Sequence, residues 1–409
     1  MAKNHMDMNE KDIIEQLISA FPTPYSVECN VRYSNGQIFD AIIYYKTVPY
    51  VLVEIKESEQ KFQSAIKHLL KGEEIVKSYW RLVTNGSTCC LKGGREINFT
   101  SYSLDEALRK IKDIQSLTEG VDITSLARIK DVFAKYKYNK FGNDLELVPA
   151  ATNQPHIVFK SKEDEENFFI SFLGELDKSK EIHRYTTLLS AFETINNWTY
   201  RMNGIRGMND NTEGIYWEKL IPDDEIYSVN SLNNMFISSF SEKKDDLTMW
   251  RLYGDDGQGI CMSFELKDED SYGFDIAKVC YVNTQSDVYK MVSELVKNGF
   301  RFWGPERWNC FFKPKEYDTE NEIRLLHMRK SKEVACIEKH DFCVAKDSSV
   351  IIPFIILKME EKDFPLKLKK ITLGPKCKAK NTNIEQLRYL LNVKGAKVEV
   401  LTSKIETYQ

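Results

Sequence analysis

Two consecutive apolar segments, IFDAIIYYK (residues 38–46) and VPYVLVEIK (residues 48–56), constrain the fold more than any other part of the chain. The second is an almost continuous run of Val, Leu and Ile, which is typical of a strand covered on both faces. Helices are predicted to cover these faces, because apolar residues recur at helical spacing in two nearby segments, EKDIIEQLISAF and QKFQSAIKHLLKGEEIVKSY. The remaining predicted strands are YSVECNVRY, WRLVTNG and STCCLKGG, and the last is expected at a sheet edge. Residues 1–115 are therefore predicted to form a compact α/β unit.

Composition excludes several classes of protein. The chain of 409 residues is 42% hydrophobic and 12% aromatic, so it is long enough for two or three packed domains. Its formal charge of −4 argues against a globally basic nucleic-acid coat but leaves room for a local basic groove. The nine cysteines contain no Cys-x-x-Cys and the six histidines no His-x-x-x-His, so a zinc site is not expected. No apolar run reaches the ~20 residues of a membrane span, and the polar start lacks a signal core, so a cytoplasmic protein is expected.

Charged residues lie at the ends of both apolar segments. Glu54 and Lys56 are two positions apart on a strand, so their side chains point to one face while Ile55 points to the core. The turn between the two segments folds Asp40 back towards Glu54. Paired carboxylates at a sheet edge suit Mg²⁺ or Mn²⁺, and a neighbouring lysine suits phosphate chemistry. An exposed ion pair at the end of a strand is the alternative interpretation.

This arrangement resembles the PD-(D/E)XK restriction-endonuclease-like superfamily, and more narrowly the N-terminal nuclease domain of type I restriction subunits. The resemblance covers residues 8–105 and implies a mixed sheet flanked by helices. It also implies catalysis by Asp40, Glu54, Lys56 and Gln63, with metal ligands Glu15, Asp40 and Glu54. Phe39 stands where many members have proline.

The remainder of the chain is predicted to contain a charged, helical linker (residues 116–180) and a strand-rich α+β domain (residues 181–409). Strands are expected in NNMFISSFS, GICMSFEL, EIRLLHM, SSVIIPFIIL, LKKITLGP and AKVEVLTSKI. The fold class of the whole chain is therefore α/β (α+β).

Four segments of the second domain resemble the bacterial family called domain of unknown function 2971. They begin at Tyr185, Asn209, Phe240 and Glu320, and the usual proline after Asn-Asp is Asn211 here. The family residues they carry are Tyr185, Asn209, Asp210, Glu213, Ser241, Trp250, Tyr253, Glu320, Glu322 and Arg324.

A comparison with ADP-ribosyltransferases gives an alternative function for the same domain. Those enzymes hold NAD with an Arg or His on the first strand, a Ser or Tyr on a middle strand, and a Glu on a later strand. The same order of residue types is present here in Arg184, then Ser239 or Ser241, then Glu320 with Glu322. In this comparison Arg184 would pair with the diphosphate of NAD.

The two resemblances together imply a metal-dependent nuclease fused to a sensing or effector domain in bacterial anti-phage defence. Nucleic acid is the expected partner, with DNA favoured over RNA, together with a phage or host trigger or a partner protein and no membrane. The alternatives are an NAD-using transferase with a nucleic-acid-binding N-terminal domain, and a non-enzymatic DNA-binding module. The sequence leaves open whether the substrate is DNA or RNA, its sequence specificity, the trigger, catalysis by the second domain and the oligomeric state.

Overall fold

The computed structural model describes residues 9–32, 37–46, 48–72, 76, 78–94, 96–114, 124–149, 156–205, 216, 234–267, 273–302, 305–329, 334–344 and 350–406. Helices and strands both contribute substantially to this part of the chain, so the α+β class is confirmed. None of its helices is long and apolar enough to cross a membrane.

The described helices are α1 Glu10–Ala20, α2 Phe62–Gly72, α3 Leu104–Lys112, α4 Thr124–Lys135, α5 Lys162–Leu173, α6 Leu188–Asn197, α7 Leu247–Tyr253, α8 Asp287–Lys297, α9 Pro305–Asn309 and α10 Lys380–Val393. Short 3₁₀ helices span Glu59–Lys61, Asn139–Asn143 and Lys315–Glu320.

The described strands are β1 Tyr25–Arg32, β2 Ile38–Tyr45, β3 Val48–Ile55, β4 Trp80–Thr84, β5 Thr88–Gly93, β6 Thr100–Ser103, β7 Leu145–Val148, β8 His156–Phe159, β9 Ile182–Thr186, β10 Thr199–Gly204, β11 Met235–Ser241, β12 Ile260–Leu266, β13 Phe274–Lys278, β14 Cys280–Val282, β15 Phe312–Pro314, β16 Glu322–Met328, β17 Ile337–Val344, β18 Ile351–Lys358, β19 Leu366–Leu373 and β20 Glu399–Thr402. Each strand predicted from the sequence is present.

The chain divides into two compact units. As far as they are described, the first contains residues 9–169 and 284–306, and the second contains residues 170–283 and 307–406. Residues 124–169, which the sequence assigned to a linker, thus belong to the first unit. An aromatic cluster accounts for this, because Phe133 and Phe159 pack against Phe300 with ring centroids 6.1 and 5.2 Å away. The predicted linker also contains the strand pair β7–β8 as well as helices.

The sheet of the first unit has the order β1-β2-β3-β4-β5-β6. β3 and β4 are parallel, and the other neighbours are antiparallel. The predicted sequence of elements, a helix, three strands, a helix and a strand, is confirmed from α1 to β4. The prediction of β5 as an edge strand is wrong, because β6 pairs with its outer side.

Two hydrophobic cores lie on opposite faces of this sheet. One joins α1 and α3 to the sheet and includes Ile13, Leu17, Ala41, Ile43, Val51, Val53, Leu104 and Ile111. The other joins α2 to the sheet and includes Ile42, Leu52, Phe62, Ala65, Leu69 and Val83. Side chains two positions apart on a strand share a face. Asp40 and Glu54 therefore lie on the α2 side, with Ile42 and Leu52.

The large sheet of the second unit branches at β11. Its main order is β17-β18-β10-β11-β9-β12-β19-β20, and β16 pairs with both β11 and β13. β16 covers one edge of β11 over the strand's whole length. The other edge is shared, because β10 pairs at Phe236 and Ile237 and β9 pairs at Ser241. Between these two pairings, the described strands leave a gap opposite residues 238–240.

Residues of the second unit's sheet alternate between two environments. One face packs with α6 and α10 in a core that includes Ile182, Ala191, Ile195, Tyr200, Phe236, Phe240, Met262, Phe264 and Leu387. The other face packs with α7 in a cluster of Tyr185, Met249, Trp250 and Cys261. By the same alternation, Arg184 and Ser238 lie on the first face, whereas Ser239 and Ser241 lie on the second.

Candidate functional site

The predicted carboxylates of the first unit meet at the end of β3. Ala41 of β2 is opposite Val53 of β3, so Asp40 and Glu54 are the next residues along each strand. The Asp40 carboxylate accepts a hydrogen bond from the Ile55 amide at 2.7 Å. This bond fixes the Asp40 side chain against the strand that carries Glu54, as the sequence predicted.

The Lys56 ammonium lies between three oxygen atoms. Its Nζ is 3.1 Å from Asp40 Oδ2, 2.8 Å from Glu54 Oε2 and 3.0 Å from the Ile55 carbonyl oxygen. Burial lowers the pKa of Lys56, but the hydrogen bond and charge of Glu54 outweigh it, so the pKa is raised. Lys56 therefore remains a cation at neutral pH.

Glu54 is the most buried member of this group, with 4% of its side chain exposed, against 23% for Asp40 and 25% for Lys56. Burial raises the pKa of Glu54, the Lys56 hydrogen bond lowers it and the Asp40 charge raises it, with a net increase. The anionic form of Glu54 thus depends on nearby positive charge, as expected for a carboxylate removed from water.

His68 is a site residue that the sequence did not single out. Its Nδ1 is 2.8 Å from Glu54 Oε1, so Glu54 has Lys56 on one oxygen and His68 on the other. His68 lies on α2 one turn after Ala65, on the side of the helix that faces the sheet. The helical spacing after Phe62 and Ala65 was the available signal.

Two predicted residues do not join this cluster. Gln63 is exposed on α2, because it lies two positions before the buried Ala65 and so about 200° around the helix. Glu15 is 66% exposed on α1, which covers the opposite face of the sheet, and its carboxylate is 3.9 Å from Lys11. The structure thus gathers Asp40, Glu54 and Lys56, but neither Gln63 nor Glu15.

Few potential metal ligands surround Lys56. Within the described residues, no group of three or more His, Cys, Asp or Glu side chains is placed to hold a metal ion. Two carboxylates and the Ile55 carbonyl are nevertheless the hard oxygen ligands that Mg²⁺ accepts, and Mg²⁺ usually keeps several waters. The chemistry of these donors therefore fits a partly hydrated divalent cation.

The residues of the transferase alternative lie on two faces of the second unit's sheet. Arg184 Nη1 donates to the Tyr200 hydroxyl at 2.7 Å and also to the Ser238 hydroxyl. The serine that Arg184 contacts is thus Ser238, not Ser239 or Ser241. Strand alternation causes the difference, because Ser239 and Ser241 point to the face opposite Arg184.

Glu320 and Glu322 belong to a buried ionic cluster. Glu322 forms a fork with Arg324 at 2.8 and 3.2 Å, and Lys313 Nζ is 2.7 Å from Glu320 and 3.1 Å from Glu322. Tyr253 donates to the Glu320 carboxylate at 2.5 Å. Burial acts to raise the pKa of Glu322, but the charges of Arg324 and Lys313 dominate and lower it to about 2. Both carboxylates are thus occupied by protein partners.

The other predicted residues of the second unit have structural contacts. The Tyr185 hydroxyl donates to the Lys243 carbonyl at 2.9 Å, and its ring packs edge-on against Trp250. Ser241 donates to the Glu320 carbonyl at 2.6 Å. The predictions for Asn209, Asp210 and Glu213 lie outside the described residues.

Comparison with known proteins adds no relative to these observations. No protein-family model matches the chain, and neither a curated protein nor a solved structure is similar to it.

Proposed function

We propose that the first unit is a metal-dependent nuclease that hydrolyses phosphodiesters of DNA, with Asp40, Glu54 and Lys56 as its catalytic residues. One observation carries the proposal: oxygens of Asp40, Glu54 and Ile55 converge on a single cationic point at the end of β3. That point is accessible, since about a quarter of the Asp40 and Lys56 side chains is exposed.

Asp40, Glu54 and the Ile55 carbonyl would hold Mg²⁺ or Mn²⁺. When bound, such a cation lowers the pKa of water and stabilises negative charge on a phosphate. Burial of Glu54 favours this exchange, because a carboxylate with a raised pKa gains from a divalent counter-ion.

Lys56 acts in this proposal as a positive charge and not as a base. Through its ammonium, Lys56 donates hydrogen bonds to a phosphate oxygen or to the attacking water. His68 holds the Glu54 carboxylate in place through Oε1 and leaves Oε2 directed towards the site.

The test of this function is plasmid cleavage by the purified full chain. We expect cleavage with Mg²⁺ or Mn²⁺ and none with a chelator, because the two carboxylates need a cation to approach a phosphate. Cleavage that persists in the chelator would contradict the metal requirement. Absence of cleavage together with DNA binding would instead favour a non-enzymatic binding module.

Replacement of His68 tests its positioning role. We expect His68→Ala to weaken Mn²⁺ binding and cleavage about 10–100-fold, the range for residues that orient a metal ligand. Gln63→Ala, on the same helix but exposed, is the matched control and should leave both unchanged. Calorimetric Mn²⁺ titration and plasmid cleavage measure the two effects. Equal effects of the two substitutions would refute the assignment.

The transferase alternative lacks a comparable observation, since Arg184 and Glu322 lie on opposite faces of their sheet. A sensing or effector role for the second unit, and a role in anti-phage defence, remain predictions from the resemblances.

A further inference from the structure

The gap in the large sheet is filled by three polar side chains. β10 and β9 diverge along the shared edge of β11, and Ser238 lies at the point of divergence. Arg184 from β9 and Tyr200 from β10 both reach it, and the Tyr200 and Ser238 hydroxyls are 2.6 Å apart. The Arg184 guanidinium carbon is 5.1 Å from the centroid of the Tyr200 ring. The arginine is thus held in one orientation.

Arg184 keeps unused hydrogen-bond donors in that orientation. Its two protein hydrogen bonds both come from Nη1. Among the described residues, no carboxylate pairs with it, and Nε and Nη2 have no protein acceptor. Nε and Nη2 form the edge of a guanidinium that binds an oxyanion through two parallel N–H groups. A half-buried cation without a counter-ion favours an anionic ligand.

A cleft of about 880 Å³ opens beside this arginine. Its volume lies within the usual range of about 300–1,000 Å³ for small-molecule sites. Neutral hydrogen-bonding side chains line much of it, including Thr186, Thr194, Asn197 and Asn203. This lining suits a ligand that carries hydroxyl groups and does not suit an aliphatic chain.

The charges around the cleft also favour an anion. Besides Arg184, the lining cations are Arg201, Lys339 and Lys394, and the lining carboxylates are Glu193 and Glu338. Arg201 stacks on Phe354 at 3.9 Å, which places a flat, positively charged surface in the wall. Lys394 is exposed and adds a further positive charge at the cleft.

We propose that this cleft is a binding site for a phosphorylated sugar or nucleotide, with Arg184 as the residue that binds the phosphate. The site is independent of the proposed nuclease, because every residue that forms it belongs to the second unit.

Calorimetric titration of the full chain tests the proposal. The probes are ribose 5-phosphate, AMP and ADP at up to millimolar concentration, with ribose and adenosine as uncharged controls. We expect saturable binding of at least one phosphorylated probe and none of its uncharged counterpart. Preference for ribose 5-phosphate would indicate a sugar phosphate, and preference for AMP or ADP a nucleotide. Failure of all three phosphorylated probes to bind, or equal binding of adenosine and AMP, overturns the proposal.

Two substitutions locate the site. Arg184→Gln should weaken binding of the phosphorylated probe at least about tenfold, because it removes charge-assisted hydrogen bonds. Arg184 also contacts Tyr200 and Ser238, so the thermal unfolding midpoint of this variant must be compared with the parent. Lys394→Ala changes only an exposed side chain and should weaken binding about two- to fivefold. Lys378→Ala, exposed in the same unit but outside the cleft, should have no effect. Unchanged affinity in Arg184→Gln also overturns the proposal.

Discussion

Glu54→Gln should reduce plasmid cleavage by about 100-fold or more, the scale on which electrostatic groups contribute at a transition state. The amide keeps the shape of the side chain but removes the negative charge that holds a divalent cation beside Asp40. The matched control is Glu57→Gln, because Glu57 is 86% exposed and its ion pair is with Lys61 at 2.6 Å. Cleavage assays on both variants, with Mg²⁺ in excess, measure the difference. Parental activity in Glu54→Gln would remove Glu54 from the catalytic site.

Lys56→Ala separates the binding of metal from catalysis. Its ammonium contacts the same three oxygens that we assign to the cation, so the two positive charges compete for them. The variant should therefore bind Mn²⁺ at least as tightly as the parent and yet lose cleavage. Weaker Mn²⁺ binding in Lys56→Ala would mean that the lysine organises the carboxylates instead of competing for them.

Glu322→Gln should destabilise the second unit by about 3–5 kcal/mol, because it leaves buried Arg324 and Lys313 with less negative charge than they require. Arg324 is fully buried and Lys313 is 7% exposed, so water cannot replace the lost carboxylate. Asp341→Asn is the matched control, since its pair with Lys339 is about half exposed and water can replace the lost contact. Hydrogen exchange of the β11 and β16 amides during urea unfolding reports on this unit alone.

The same carboxylate gives a pH dependence with a defined sign. The pKa of Glu322 is lowered from 4.5 to about 2 in the folded chain, so the unfolded state binds the proton more readily. Its contribution to stability is present above pH 4.5 and is lost as the pH falls towards 2. Glu322→Gln should remove that part of the acid sensitivity. An unchanged acid transition in the variant would show that other groups determine it.

The sequence predicted those features that depend on near neighbours along the chain. Alternation on a strand placed Glu54 and Lys56 on one face, and the apolar runs identified the strands of both units. The position of Asp40 beside the Glu54 strand was also predicted correctly, because a short connection between two antiparallel strands leaves few possible registers.

Features that depend on helix rotation or sheet face were not predicted. Gln63 was chosen for its place in the sequence, whereas the buried stripe of α2 turns His68 towards Glu54 instead. The segment that contains Ser238 and Ser239 is apolar on both sides, so its alternation did not reveal which serine faces Arg184. That assignment requires the pairing of β9, β10 and β11, which are separated by long stretches of chain.

Residues 284–306 belong to the first unit although most of the chain between them and residue 169 belongs to the second. This has a consequence for synthesis on the ribosome. Phe300 completes the aromatic cluster with Phe133 and Phe159, and Glu294 accepts hydrogen bonds from Lys135 and Tyr136 at 2.6 and 2.8 Å. The nascent first unit therefore cannot close its core until more than a hundred further residues, including β9 to β14 of the second unit, have emerged. A gene truncated after residue 180 would encode a fragment with that core open, so the separate activities are better assigned with point substitutions than with isolated domains.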